Sequence, residues 1–440
     1  MECYDKSQVN PDAKKRPVGR QKMSGFPALM RVGEAMDVIR KSVVLPKLDI
    51  LRRPLTEVLD MTVAEDIVVP LDVPPFDRSA VEGYAVQASR TASATTTNPT
   101  ELRVVGKSEA GSIPSELPRV LGGTALEIYT GGPLPSGADA VVMVEFTKRT
   151  ENSVLIYKAV APGQNVSKKG EDFAYGSLMI KRNTVLKPWH IGALASVNLV
   201  SVPVYRPVKV CVLSTGNELR EAGEKLRPGE IINSSKPMLR ALLTELGCEY
   251  VDCGTVPDEI VALKKALRDG LERGVILITT GGTSLGEKDI VPEVINELGS
   301  PGIVVHGVSM RPAKPTGCGV IGSKPIFMLS GYPVAALVGF DVFVQPIIQL
   351  FQGIEPIPGP IVKARLTRRL ATPPGVRSFV RVRVFREAGE LKVEPLRLTG
   401  SGLLSTMTRA NGILFIPEDT EGFDQGHEVE VNMIQPIEEL

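Results

Sequence analysis

VKVCVLSTGNEL, residues 208–219, opens with a mostly apolar run, broken only by Lys209, and then gives way to two hydroxyls, a glycine and an amide. An apolar run of this length, bounded by a turn signal, reads as a strand buried on both faces. The segment SSKPMLRALLTELG (234–247) comes next and is amphipathic, with Met238, Leu239, Leu242, Leu243 and Leu246 on one side and Gly247 as its end. EYVDCGTV is a second strand and EIVALKKALRDGLERG (259–274) a second helix. VILITT and IVPEVINEL form a third pair. IVVHGV and PIFMLS follow, then a long apolar helix from about Val334 to Phe351. Strand–helix alternation of this kind predicts a doubly wound α/β domain with a parallel sheet. Such sheets bind ligands beyond the carboxyl ends of their strands.

Outward from that core the pattern changes on both sides. GIEPIPGP (353–360) is a linker, and the short β runs after it predict a small C-terminal barrel or sandwich. Upstream, RVGEAMDVIRKSV (31–43) has helical spacing, and residues 73–160 carry short strands separated by turns. The expected organisation is a flexible basic tail over 1–25 and a helical linking domain of 26–63 with 165–205. That domain is interrupted by a β-rich insert (64–164) and followed by the α/β domain (206–352) and a C-terminal β barrel (353–440).

A net charge of +1 argues against a long nucleic-acid footprint. No run of about eighteen uninterrupted apolar residues predicts a membrane span, and no secretory leader is expected at the N-terminus. Five cysteines at 3, 211, 248, 253 and 318 lack metal-site spacing, so structural thiols in a reducing, cytoplasmic compartment are the default.

Three loops leave strands on the ligand side: STGNEL (214–219), TTGGTSLGEKD (279–289) and LSGYP (329–333). Each holds glycine where a backbone must approach something closely, and each lies near a helix N-terminus, which favours anions. Neither a P-loop nor a dinucleotide fingerprint is present. Asp258 and Asp289 put carboxylates at adjacent strand ends, the usual way of holding Mg²⁺ beside phosphates. Each is equally placed to cap the helix that follows it. In MRPAKPT (310–316), Arg311 and Lys314 are stiffened by prolines and suit an oxyanion, although a solvated basic loop reads the same way. PPFDRSAVEGYAV (74–86) is a tight polar loop from which physics alone names no reaction.

These stretches resemble the MoeA/gephyrin family, in order and across roughly residues 27–435. PPFDRSAVEGYAV is similar to the family's PPFDNSAMDGYAV, and TGGPLPSGADAVVMVE (130–145) to its TGAPLPEGADAVVMVE. GQNVSKKGED, STGNEL, GEIINSS, TTGGTSLGEKD, MRPAKPT, LSGYPV and SGLLSTMTRANGILFIP follow like its remaining signatures. The resemblance implies an elongated four-part subunit with a MogA-like α/β domain, forming a homodimer. It implies molybdate or tungstate and adenylyl-molybdopterin as substrates, Mg²⁺ as cofactor, AMP as a product, and contact with the upstream adenylyltransferase. Carried over by position, Asp77, Thr130, Asp172, Asp258 and Lys314 become the catalytic candidates. Ser214, Thr215, Gly281, Gly282, Thr283, Ser284, Gly286, Arg311, Pro315, Ser330, Gly331, Pro333, Arg381 and Ser401 become substrate contacts, with Asp258 and Asp289 on the metal. The chain departs from the family pattern at Asn217 and Asn233, where acids are lost, and at Arg311, Ser330, Tyr332 and Ala335. Those departures leave open a non-catalytic scaffold of the same fold, or a related transferase with altered oxyanion specificity.

Overall fold

The computed structural model describes residues 29–282, 290–356, 359–396 and 400–439. The chain divides into two compact units, one of residues 1–49 with 206–440 and the other of residues 50–205.

The first unit is built on a six-stranded sheet. Its elements, in chain order, are α1 (Val32–Ser42), β1 (Lys209–Thr215), α2 (Ser235–Glu245), β2 (Glu249–Val256), α3 (Ile260–Arg273), β3 (Ile276–Thr280), α4 (Ile290–Leu298), β4 (Pro301–His306), β5 (Met310–Arg311), β6 (Gly317–Ile321), β7 (Lys324–Leu329), α5 (Pro333–Gly339) and α6 (Gln345–Phe351). The strand order is β2-β1-β3-β7-β6-β4. Strands β2, β1, β3 and β7 run parallel, and β6 is antiparallel to both its neighbours. Every residue of β3 is buried, as its apolar run requires. Helices α3 and α4 cover one face through Leu263, Leu267, Val291, Val294 and Ile295, against Cys211, Leu213 and Leu277. The other face packs on Leu239, Leu243 and the long helix.

That long helix is apolar enough to span a bilayer by length, yet Val334, Ala336, Val338, Phe340, Phe343, Ile347, Ile348 and Phe351 are buried in the protein core. It opens with Pro333, whose missing N–H costs nothing in a first turn. It widens into a π turn at Phe340–Val344 just before Pro346, where an α-helical hydrogen bond cannot be made.

The sequence reading groups 26–63 with 165–205. In the structure, residues 29–49 belong with the first unit instead. Val32, Ala35 and Ile39 of α1 are buried in the same core as Val210, Val305 and Phe343, so the helix's apolar stripe selects the α/β core.

The C-terminal part of this unit continues with β8 (Ile361–Leu366), β9 (Arg377–Glu387), β10 (Glu390–Pro395), β11 (Gly412–Ile416) and β12 (Glu428–Met433). Pairing runs β9-β10-β8-β12-β11 and closes through β11 on β9, making a five-stranded barrel. Its interior is filled by Ala364, Leu366, Val380, Val382, Val384, Val393, Leu414, Val429 and Val431. Strand β5 of the α/β part pairs parallel with β9, Met310 opposite Arg377 and Arg311 opposite Ser378.

The second unit carries a six-stranded sheet of residues 140–143, 83–86, 124–128, 100–108, 153–156 and 147–149, in that spatial order. A separate core gathers Val58, Val63, Ile67, Ile180, Leu186, Leu194, Val202 and Val204, with the ribbon Ile50–Pro54 paired antiparallel to Ser201–Tyr205.

Candidate active site

The carboxyl ends of β1, β2 and β3 bring polar groups together as the sheet topology requires. Ser214 and Thr280 face each other across the β1–β3 ladder, with hydroxyls 3.0 Å apart, both fully buried or nearly so. Thr215 donates its hydroxyl to Asp258 Oδ1 over 2.6 Å. Asp258 therefore does not cap α3: the cap position is Glu259, and no side chain bonds to that helix end. Asn217 Oδ1 lies 3.4 Å from the Asp258 N–H, so the amide that replaces an acid still borders the carboxylate.

Gly281 and Gly282 leave β3 with φ of +87° and +62°. A Cβ on Gly281 would lie 2.2 Å from the Thr215 carbonyl oxygen, and one on Gly282 2.6 Å from Val291 Cγ2. Both glycines are thus demanded by handedness and by close packing. Gly331 crosses just above, its own would-be Cβ 3.5 Å from Gly281 Cα. Thr283, Ser284, Gly286 and Asp289, which complete the loop, lie outside the described residues.

One expectation fails at the third loop. The N-terminus of α5 is not an open anion site. The Ser401 carbonyl accepts the N–H groups of Val334 (3.0 Å) and Ala335 (3.3 Å), and Pro333 has none to offer. The Val334 and Ala335 donors just beyond Ser330, Gly331 and Pro333 are already satisfied by the loop that carries Ser401. Ser330 Oγ accepts the Tyr332 N–H at 3.2 Å. The Tyr332 ring, 64% exposed, stands against Gly402, where a Cβ would come within 3.2 Å of it.

The same 400–408 loop reaches a cationic corner. Arg381 is 2% exposed; its Nε donates to Thr406 Oγ1 and its Nη1 to the Phe379 carbonyl, each at 3.3 Å. Burial, and then the neighbouring positive charge of Arg311, hold its pKa below the usual arginine value. Pairing of β5 with β9 is what brings Arg311 to Arg381, 70 positions apart in sequence. Lys314 and Pro315 sit half-buried in the following turn, where Ala313 takes φ +78° and the Lys314 carbonyl accepts the Val308 N–H. Two like charges held this close suit an anion between or beside them.

Sequence reasoning missed Lys236. It lies in the first turn of α2, nearly buried, with Nζ 2.7 Å from Glu221 and 2.9 Å from Asp252. Thr255 also donates to Glu221 at 3.0 Å. These groups, with Asn217, Arg220 and Gly254, line a cavity of about 700 Å³ next to Asp258. The signal was there: a lysine at a helix start, where a cation opposes the dipole, needs acids nearby.

In the second unit three distant motifs meet. Val166 and Ser167 pair with Ser79 and Arg78, Val73 bridges Phe173, and Arg78 bridges Pro133. Asp77 is gripped by Lys168 Nζ and the Lys169 N–H, both at 2.8 Å. Its burial alone would raise its pKa, but those two donors outweigh it and hold the carboxyl below the usual range. Thr130 stands exposed beside Gly131, whose N–H donates to the Ser79 carbonyl. Asp172 is exposed, its N–H bonded to the Val73 carbonyl. The structure therefore gathers Asp77, Thr130 and Asp172 on interlocked segments.

Among the described residues no three His, Cys, Asp or Glu side chains form a ready metal cage. Mg²⁺ does not need one, since one or two carboxylates, waters and phosphate oxygens suffice. Asp258, beside the glycine turn at 281–282, fits that kind of partial site.

Three family descriptions match the chain in order. They are "MoeA N-terminal region (domain I and II)" over residues 30–198, "Probable molybdopterin binding domain" over 211–350, and "MoeA C-terminal region (domain IV)" over 363–434. A Bacillus subtilis protein named molybdopterin molybdenumtransferase is 35% identical over 386 residues, spanning 87% of this chain and 89% of that protein. A Methanocaldococcus jannaschii protein, 38% identical over 389 residues and spanning 87% of this chain and 91% of its own, is named for molybdopterin biosynthesis and not for a reaction. The crystal structure of a molybdopterin biosynthesis MoeA protein from Pyrococcus horikoshii superposes with a TM-score of 0.78 at 36% identity, covering 93% of this chain and 100% of that one.

Proposed function

The chain belongs to the MoeA family of molybdopterin molybdenumtransferases, and from that membership we propose that it inserts molybdate, or tungstate, into adenylylated molybdopterin with release of AMP. The observation that most supports this reading is the Thr215–Asp258 contact beside the glycine turn at 281–282, at the strand ends where a doubly wound sheet holds its ligand.

The division of labour follows from the residues. Ser214, Thr215 and Thr280 offer hydroxyls, and Gly281 and Gly282 allow a phosphate close to the backbone. Asp258, with Asp289, would hold Mg²⁺. The metal, when bound, neutralises charge on the phosphoanhydride as it breaks. Arg311, Lys314 and Arg381 supply fixed positive charge for the oxyanion. Asp77, held ionised by Lys168, would form with Thr130 and Asp172 a separate acidic and polar cluster within the second unit. A homodimer in the cytoplasm, handed its substrate by an adenylyltransferase, is the working context of this reading.

Incubation with adenylyl-molybdopterin, Mg²⁺ and either oxyanion tests it. AMP and metal-loaded cofactor are expected; absence of both with molybdate and with tungstate refutes the reading. The amides at 217 and 233 make this cleft less acidic than the family pattern. That favours a site that leans on Asp258 for its metal.

A further inference from the structure

Cys211 and Cys253 lie on neighbouring strands and face the same helix. Cys211 is buried in β1 and Cys253 half-buried in β2, and both pack in the cluster under α3. Ladder register between the strands slips at this point. Val212 pairs with Asp252 and Ser214 with Thr255, so β2 carries one more residue than β1 across the interval. The extra residue falls at Cys253–Gly254, and Gly254 takes φ +84°. A bulge of this kind re-aims a side chain.

Both sulfurs rest on the C-terminal turn of α3, where side chains are missing. Cys211 Sγ is 3.2 Å from the Gly270 carbonyl oxygen, and a Cβ added to Gly270 would lie 3.4 Å from Cys253 Sγ. A Cβ on Gly274 would lie 2.7 Å from Cys211 Sγ. Two glycines thus clear the space that two thiols share. The two thiols and Arg273 share this corner: Cys211, and then Arg273, hold the Cys253 thiol below its usual pKa against the effect of burial, while Cys253, and then burial, push the Cys211 thiol up.

We propose that Cys253 and Cys211 form a peroxide-reactive dithiol that closes reversibly to an internal disulfide. The Cys253 thiolate attacks a hydroperoxide oxygen: an S–O bond forms, the O–O bond breaks, and hydroxide leaves to take up a proton as water. The Cys211 sulfur then attacks Cys253. An S–S bond forms, the S–O bond breaks, and the departing hydroxide leaves as water with the Cys211 proton. The sulfurs are oxidised and the peroxide is reduced. Their asymmetry assigns the roles, since the half-buried sulfur is the one a small oxidant meets first and the buried one resolves it.

Full-length protein is treated with hydrogen peroxide, alkylated and peptide-mapped. Two of the five thiols are expected to disappear as a 211–253 linked peptide, and a dithiol reductant should restore both. Cys211→Ser should leave a sulfenic acid at 253 that a dimedone-type reagent traps, and Cys253→Ser should leave Cys211 fully alkylatable. Recovery of 211 and 253 as free thiols, stepwise oxidation of Cys253 with Cys211 untouched, or linkage of either to Cys248 overturns the proposal. The unmutated chain alone decides among these outcomes, so a poorly folding variant does not blunt the test.

Discussion

The hydroxyl of Thr215 reaches across the sheet end to the carboxylate of Asp258 at 2.6 Å. That bond ties the last residue of β1 to the loop after β2 and aims the carboxylate along the strand ends. Asp258→Asn should lower AMP release by about 100-fold while leaving the thermal midpoint close to wild type. Thr215→Val should keep part of the activity with a raised requirement for Mg²⁺. Turnover measured across a Mg²⁺ titration separates the two variants; equal Mg²⁺ dependence would remove Thr215 from the metal's surroundings.

Gly281→Ala forces a Cβ to 2.2 Å from the Thr215 carbonyl oxygen in a left-handed residue. A cost of about 2 kcal/mol or more is expected from strain and displaced backbone. Urea midpoints check the stability, and loss of turnover should accompany it, because Thr215 itself must move.

Lys236→Met tests the Glu221–Lys236–Asp252 cluster. Its acids are about half exposed, so roughly 1–2 kcal/mol is expected. Burial lowers the lysine's pKa, but Glu221 and Asp252 outweigh it and raise the net value. The raised value means that the stabilisation is complete below the unfolded lysine value of about 10.4 and is lost as pH rises through the folded one. Wild-type stability should therefore decline above pH about 10.4, and the variant's alkaline limb should be flatter. An unchanged limb would show that the network contributes nothing.

Asp77 behaves in the opposite sense. Its folded pKa is depressed, so the Lys168 tie acts above the unfolded carboxylate value of about 3.9 and is lost as pH falls through the lower folded value. Asp77→Asn should change neutral stability by less than about 1 kcal/mol, since both partners meet solvent. Acid titration followed by circular dichroism should show a shallower limb for the variant.

Asp341 faces a cavity of about 330 Å³ lined by Val32, Leu337, Val342, Phe379 and Phe415. Solvent reaches it through that opening, yet its apolar surroundings, and then Glu245, push its pKa up to about 7. Folded-state protonation persists to higher pH than in the unfolded chain, so stability declines as pH rises from about 4 to about 7. Asp341→Asn should abolish that decline and be the more stable protein at pH 8. Denaturant midpoints at pH 5 and pH 8 check it.

Much of this fold was legible in the sequence because its signals are local. The apolar run 208–215 is a buried strand, the stripe of 234–247 is α2, and the glycines at 281–282 are where φ must be positive. Three features were not legible, because each depends on a partner far away in sequence. Helix α1 shows only that it has an apolar face, not that its core lies with Val210 and Phe343. The LSGYP loop looks like a free anion cradle until Ser401 arrives to take the N–H groups of Val334 and Ala335 just after it. Lys236 looks like a surface lysine until Glu221 and Asp252 close on it.

Strand β5 leaves the α/β part of the first unit to lie against β9 of the barrel. A two-residue splice of this kind works as a linkage in the mechanical sense. Whatever strains the barrel wall at Arg377 or Ser378 is transmitted to Arg311 without passing through the ligand. The spacing of Arg311 and Arg381 is thereby set by the assembly of two folds, so a substitution in the barrel interior, far from any loop, can retune it.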